Sequence, residues 1–343
     1  MMANFDIDGE GELVQSSNSG STDEVRIANA GTYWPVAPSD VVLAVPLAAR
    51  ILLGATPVGR AVQVAAFGAY LGCALQDWYA RLGVRKIEFL EEFGADVQHL
   101  TPMPPATRED EIRTLTERLN DEYTAERIER RELAVEVDRQ LTNYIAGITG
   151  QRVETSAEVR DFSIAGLIYP FALGVCDFLT GDVTLFRDVG AFEPHVIAHE
   201  FSHRKGYWKE LEAQALAYLS LTASGQPVLV QSALCERLHR DLRAVVGDDI
   251  AAFRARVSSS DLRSELQTQF LELERGPAAA GLDRQLQLLM RRLYDERMRL
   301  TGQNGLSDYD VGFTNFLYTF ERSPVARQRP PGPAMLPAGQ TTA

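Results

Sequence analysis

Cysteine is scarce in this chain of 343 residues, and the spacing that a thiolate metal site requires is missing. The three cysteines are Cys73, Cys176 and Cys235, and no two of them form a Cys-x-x-Cys pair. An odd number of widely separated cysteines excludes a disulfide scaffold and a thiolate zinc cluster, and it favours a reducing compartment. We therefore expect all three to be small buried side chains.

Basic residues are also in deficit. The sequence has 34 lysines and arginines against 47 aspartates and glutamates, which gives a formal net charge of −13. Nonspecific binding to nucleic acid needs many lysine and arginine contacts to phosphate, so this balance argues against a nucleic-acid partner. A content of 45% hydrophobic and 24% charged residues is enough to bury a core.

No uninterrupted apolar run reaches the roughly 20 residues that a helix needs to cross a bilayer. The two apolar stretches 41–54 and 61–75 contain no acid, but Arg50 interrupts the first and Arg60 lies between the two. They predict a hydrophobic helical hairpin over 36–85. Two interpretations stay open at this stage, a buried or interfacial hairpin and a tight transmembrane hairpin. In the second case the chain associates with a membrane through residues 41–75.

Both ends of the chain are predicted to be disordered. Residues 1–32 are acidic and rich in Ser, Gly and Asn, and residues 323–343 are rich in Pro. Between 107 and 322, apolar residues recur mostly at helical spacing, including one helix that we expect to run from Thr107 to about Ile145. We predict a mainly α domain with a small β-sheet (α+β) over 107–322.

A pentapeptide beginning at His199, His-Glu-Phe-Ser-His, matches the pattern H-E-x-x-H. On a helix, His199 and His203 lie one turn apart on the same face and can bind one Zn²⁺. Glu200 is rotated by one residue, so it is poorly placed as a ligand but can accept a proton from a water activated by the metal. Pro194 suits the first turn of such a helix, and Gly206 allows a sharp exit from it.

A catalytic zinc needs a third protein ligand, and two acids begin the next helical stretch. Glu212 precedes small residues at 213, 215 and 217, which would allow close packing on the motif helix, and a carboxylate buried there needs a cation. We predict Glu212 as the third ligand. Its neighbour Glu210 is expected either to contact one of the metal ligands or to face solvent. His195 is expected to form a local hydrogen bond, and His99 and His239 to be surface or capping residues.

Two further features bear on peptide hydrolysis. Residues 178–186 alternate weakly and predict a strand, entered from 166–171, and an edge strand beside such a helix can pair with an extended peptide. Hydrolysis also needs a donor to the carbonyl oxygen. Tyr169, Tyr207 and Tyr309 could each supply it, and the sequence does not choose among them.

The order of three segments resembles a known family. These segments are GLIYPF at 166–171, TGDVTL at 180–185 and HEFSHRKGYWKELEAQALAYL at 199–219. They are similar to the motifs of a family of bacterial, usually membrane-embedded HExxH zinc peptidase-like proteins of unknown function. In that gluzincin-type family the HExxH motif is followed by a Glu-x-Glu-Ala element, which corresponds here to 210–213.

The resemblance implies a zinc metalloendopeptidase with a zincin-like core and a protein or peptide substrate. By position, His199, His203 and Glu212 would be the ligands and Glu200 the catalytic base. It also implies N-terminal transmembrane helices, and hence a bacterial inner-membrane protein. If the hairpin inserts, the positive charges of Arg81, Arg85 and Lys86 after it predict a cytoplasmic catalytic domain. The short apolar stretches leave a cytoplasmic protein as the alternative. A rival interpretation is a non-catalytic, metal-stabilised scaffold or interaction protein, with or without membrane attachment.

Overall fold

The computed structural model of the chain describes residues 23–164, 172–274 and 284–328. It is mainly helical with few strands, as predicted. The first half contains α1 (Pro38–Leu53), α2 (Pro57–Arg81), α3 (Phe89–Phe93), α4 (Pro105–Asp121) and α5 (Arg130–Thr149). The second half contains α6 (Glu193–Arg204), α7 (Glu210–Ala223), α8 (Pro227–Val246), α9 (Ile250–Ser258), α10 (Ser264–Leu273), α11 (Arg284–Leu300), α12 (Val311–Arg322) and α13 (Pro324–Gln328).

In the described part of the chain, four short strands form two small sheets. β1 (Asp23–Arg26) pairs in parallel with β2 (Gln151–Glu154), and β3 (Gly174–Cys176) pairs antiparallel with β4 (Val183–Leu185). The second sheet lies against α6. Of the strand predicted over 178–186, only the last part forms, as β4. A turn precedes β4 and is closed by a hydrogen bond from Gly181 N–H to Asp177 O (2.7 Å). The entry segment at 166–171 lies outside the described residues.

Both terminal segments that were predicted to be disordered contain ordered residues next to the domain. Residues 1–22 and 329–343 lie outside the described residues, but β1 lies within the predicted N-terminal tail and a 3-10 turn at Ala30–Tyr33 begins in it. The side chain of Asn29 is fully buried and donates to Asp77 Oδ2 (3.2 Å), which ties this segment to α2. At the other end, the short helix α13 begins directly after Ser323.

The helix predicted from Thr107 to Ile145 is two helices, α4 and α5, separated by residues 122–129. Two side chains explain the break. Gln231 Oε1 accepts a hydrogen bond from the main-chain N–H of Thr124 (2.8 Å), which satisfies the backbone inside the loop. The carboxylate of Glu129 accepts from Arg131 N–H (3.0 Å) and so caps the start of α5.

The motif helix α6 is the centre of the domain. Every residue from Glu193 to Arg204 is buried, and α5, α7, α8 and the second sheet surround it. Two buried cations fix its C-terminal end, where the carbonyl groups of a helix favour positive charge. Arg204 Nε donates to Gly181 O (2.6 Å), and Lys205 Nζ pairs with Asp138 (2.8 Å).

The helices α1 and α2 pack on each other as a hairpin with largely exposed apolar side chains. Its most exposed members are Leu47, Ile51, Leu52, Val58, Val64 and Tyr79. By length and composition, α2 is the one helix in the described ranges that could cross a membrane, and 17% of its apolar window is buried. The side chains of Arg81 and Asp77 anchor the base of α2 to the rest of the protein.

Candidate metal centre

The two histidines of the motif and one glutamate bring three potential ligand atoms together. Nε2 of His199 lies 3.2 Å from Nε2 of His203. The third atom is Oε2 of Glu210, which is 3.2 Å from each of these nitrogens. The three atoms form a triangle with nearly equal sides, and all three side chains are buried.

The dimensions of this triangle fit a small divalent cation. Four tetrahedral ligands at about 2.0–2.1 Å from an ion lie about 3.3–3.4 Å apart, close to the spacing found here. Within the described part of the chain, Nδ1 of His199 is a buried nitrogen without a hydrogen-bond partner. Three protein atoms would fill three of the four positions of a tetrahedral metal site. This group could therefore hold a metal ion and leave one position for a further ligand.

The third member is Glu210, so the prediction of Glu212 was wrong. Glu212 Oε1 instead lies 2.8 Å from Lys209 Nζ, and the side chain is 16% exposed. Successive residues of a helix are rotated by about 100°, so Glu210 and Glu212 point in nearly opposite directions and only one can face α6. Glu210 is the one whose carboxylate is buried beside the histidines.

Hydrogen bonds from outside the triangle hold two of the three side chains in place, those of His203 and Glu210. His203 Nδ1 lies 2.7 Å from the main-chain oxygen of Tyr207, which leaves Nε2 for a metal. Tyr309 Oη donates to Oε2 of Glu210 (2.7 Å), and Tyr294 Oη donates to Oε1. The main-chain N–H of Glu210 itself donates to Gln303 Oε1 (2.7 Å).

The carboxylate of Glu200 lies between the motif helix and the second sheet. Cys176 N–H in β3 donates to it, and Gly174 is so close that a Cβ there would lie 3.4 Å from Glu200 Cγ. Burial raises the pKa of Glu200 to about 7, and the negative charge of Glu210 contributes in the same direction. A carboxyl group with this pKa can both accept and return a proton near neutral pH.

The pKa shifts of the three triangle residues indicate a neutral His199, a positively charged His203 and a negatively charged Glu210. Burial lowers the pKa of His199 to about 4, so this ring is neutral. Burial opposes protonation of His203 as well, but the Glu210 carboxylate outweighs it and raises the pKa of His203 to about 9. The same imidazolium holds the pKa of Glu210 well below its usual range despite burial. A metal ion would replace the proton of His203.

The remaining histidines lie away from the triangle. His195 Nε2 is 2.5 Å from Gln214 Oε1 on α7, so its partner is on the next helix rather than local as predicted. His239 was predicted to be a surface or capping residue, but it is buried and lies 2.9 Å from Glu274. His99 is exposed and pairs with Asp96, as predicted.

The tyrosines are now distinguishable. Tyr207 points away from the triangle, since its Oη donates to the main-chain oxygen of Arg85 (3.4 Å), and Tyr169 lies outside the described residues. Tyr309 contacts Glu210, the third member of the triangle. Tyr294 and Gln303 were not predicted from the sequence, because they are 84 and 93 residues away from Glu210 along the chain and carry no local signal.

Comparison of the chain with protein-family models, with curated protein sequences and with solved structures finds no match.

Proposed function

We propose that this protein is a zinc-dependent metallopeptidase with a zincin-like core, in which His199, His203 and Glu210 hold the metal. The observation that carries the proposal is the triangle of ligand atoms 3.2 Å apart, with the buried Glu200 on the same helix. Two histidines and one glutamate form a donor set of catalytic zinc sites. Bound zinc would act as a Lewis acid on the scissile carbonyl and would lower the pKa of water.

Glu200 would act as the general base and then as the general acid. Its carboxylate takes a proton from the attacking water, whose oxygen forms the new bond to the carbonyl carbon. When the C–N bond breaks, Glu200 returns the proton to the leaving nitrogen. Burial raises the pKa of Glu200, which strengthens it as a base, and the hydrogen bond from Cys176 N–H holds the carboxylate in position.

Among the described residues, no strand pairs with the edge of β3 that faces away from β4, and this edge supports an extended peptide as substrate. Hydrogen bonds join Leu173 O to Phe186 N–H (3.0 Å) and Asp182 O to Asp177 N–H (2.8 Å) in the β3–β4 ladder. Because main-chain groups alternate in direction along a strand, those of Gly174 point away from β4. They lie beside Glu200, where a peptide strand could pair with them.

Replacement of Glu200 by glutamine tests the proposal. The zinc-loaded full-length protein is incubated with a peptide library, and products are identified by mass spectrometry. We expect Glu200→Gln to retain one zinc per chain and to cleave about 10²–10⁴-fold more slowly than the wild type. Glu212→Gln is the matched control, with normal cleavage. Equal cleavage by Glu200→Gln and wild type would contradict the proposal.

Zinc binding without any cleavage would instead favour the rival function, a metal-stabilised scaffold or interaction protein. Cleavage that depends on Glu200 excludes that alternative, because a scaffold needs no general base.

We also propose that the α1–α2 hairpin attaches the protein to a membrane. Its apolar side chains face outward over most of both helices, and large exposed apolar patches are rare on monomers in water. The helix α2, with 25 residues, is about 38 Å long and so exceeds the ~30 Å hydrocarbon core, whereas α1, with 16 residues, is about 24 Å long. Attachment through this hairpin is compatible with an inner-membrane protein.

A further inference from the structure

Two tyrosine hydroxyl groups contact the two oxygens of Glu210, one each. Tyr309 Oη donates to Oε2, the oxygen that faces both imidazoles, whereas Tyr294 Oη donates to Oε1 on the far side. The two hydroxyl groups are 3.4 Å apart. Although both contact the same carboxylate, only Tyr309 lies beside the oxygen that would bind metal.

The ring of Tyr309 is held in place from two sides. Its neighbour Asp310 accepts a hydrogen bond from Arg240 Nη1 (2.9 Å), and the guanidinium carbon of Arg240 lies 5.7 Å from the centre of the Tyr309 ring. On another side, the ring centre is 6.1 Å from that of His199. Arg240 is itself fixed by Glu236 in the buried part of α8 (2.7 Å). The hydroxyl group is therefore preorganised next to the ligand atoms.

If Oε2 held a metal, Tyr309 Oη would lie beside the metal-binding oxygen, 2.7 Å away, whereas Tyr294 would stay on Oε1. A phenol donor next to the group that would hold the metal suits a substrate oxygen that becomes negatively charged. Donors already placed where charge develops stabilise a transition state more than donors that must be recruited.

We propose that Tyr309 is a catalytic residue that donates a hydrogen bond to the substrate carbonyl oxygen during attack by water. As the new C–O bond forms, the π electrons of the carbonyl move to its oxygen, and Tyr309 stabilises this charge while keeping its own proton. The C–N bond then breaks, and the nitrogen takes its proton from Glu200. Tyr294 has a different role, because it positions Glu210. This proposal rests on the proposed peptidase function.

The matched variants Tyr309→Phe and Tyr294→Phe test the proposal, since each removes one hydroxyl group from one oxygen of Glu210. Zinc affinity, kcat and KM are measured on the full-length protein with a peptide that the wild type cleaves. For Tyr309→Phe we expect zinc affinity and KM within about threefold of the wild type and kcat lower by about 10²–10³-fold, as for loss of one oxyanion donor. For Tyr294→Phe we expect zinc affinity lower by about tenfold or more and a smaller loss of kcat at saturating zinc.

A second readout does not depend on turnover. A phosphinic analogue of the cleaved peptide carries a negative oxygen at the position of the carbonyl oxygen, and calorimetry gives its dissociation constant. We expect weaker binding to zinc-loaded Tyr309→Phe than to Tyr294→Phe by about tenfold or more.

Three results would overturn the proposal. If cleavage depends on Glu200 but Tyr309→Phe keeps kcat within threefold of the wild type, Tyr309 is not the donor and the peptidase function stands. If Tyr309→Phe loses zinc and recovers full kcat at saturating zinc, Tyr309 is a positioning residue. If the wild type shows no cleavage that depends on Glu200, the proposed function is wrong and the role of Tyr309 fails with it.

Discussion

Arg237 on α8 donates two hydrogen bonds to the carboxylate of Glu321 on α12, at 2.6 and 3.1 Å. The same guanidinium group also contacts Glu111 on α4 (2.6 Å) and the hydroxyl group of Tyr218 on α7 (3.0 Å). The Arg237 side chain is fully buried, so one cation joins four helices of the domain.

Loss of this cation should be costly. Arg237→Ala leaves two buried carboxylates without their main partner, and we expect the free energy of unfolding to fall by about 3–5 kcal/mol. The control is Arg139→Ala, whose side chain is 53% exposed and pairs with Glu136 on the surface; we expect a loss of about 1 kcal/mol or less. Urea titration followed by circular dichroism measures both. A loss below 1 kcal/mol for Arg237→Ala would contradict the structure.

The pKa of Glu236 predicts that the free energy of unfolding depends on pH. Burial alone would raise its pKa, but the charges of Arg240, His195 and His239 outweigh burial and lower it to about 2. The folded pKa is below the unfolded value of about 4.5, so Glu236 contributes its full stability above pH 4.5 and loses it as the pH falls toward 2. A shift of this size corresponds to about 3 kcal/mol.

The test compares the free energy of unfolding at pH 5 and pH 3. Between these values we expect the wild type to lose about 2 kcal/mol more than Glu236→Gln, which has no carboxyl group to protonate at this position. Gln214, which also contacts this carboxylate, is uncharged and adds no titration of its own. If both proteins lose the same stability over this range, Glu236 does not have the lowered pKa described above.

The exposed hairpin makes a prediction about membrane binding. We expect the full-length protein to float with vesicles of phosphatidylcholine and phosphatidylglycerol. Leu52→Asp should weaken binding to these vesicles by about tenfold or more, because an aspartate in the hydrocarbon core costs about 2.5–3.5 kcal/mol. Leu300→Asp is the control, since Leu52 and Leu300 are both 80% exposed but Leu300 lies on α11, outside the hairpin. Membrane attachment would be contradicted if the wild type stays in solution in the presence of these vesicles, for instance as a dimer formed through the hairpin.

The spacing of the motif was sufficient to predict how His199 and His203 meet, because residues four apart on a helix share a face. The choice between Glu210 and Glu212 depended on the rotation of α7, and the small residues after Glu212 were not informative about it. A pattern that could have identified Glu210 is its pairing with Gln214 one turn later. These two residues contact His199 and His195, which are also one turn apart.

Other parts of the site are not encoded locally. Tyr294, Gln303 and Tyr309 reach Glu210 from more than 80 residues away, so only the packing of α11 and the turn after it brings them there. The helix break at 122–129 depends in the same way on Gln231, 107 residues from Thr124. Periodicity predicts which segments are helical, but not which distant side chain satisfies a given backbone or carboxylate group.

The most direct test of the metal centre is zinc affinity measured by competition with a chelator for the wild type, Glu210→Gln and Glu212→Gln. These two variants make the same change two residues apart on one helix. We predict one zinc per chain in the wild type, an affinity within about threefold of it for Glu212→Gln, and an affinity lower by at least about 100-fold for Glu210→Gln, which loses a ligand. Normal zinc binding by Glu210→Gln together with its loss in Glu212→Gln would contradict the assigned ligands.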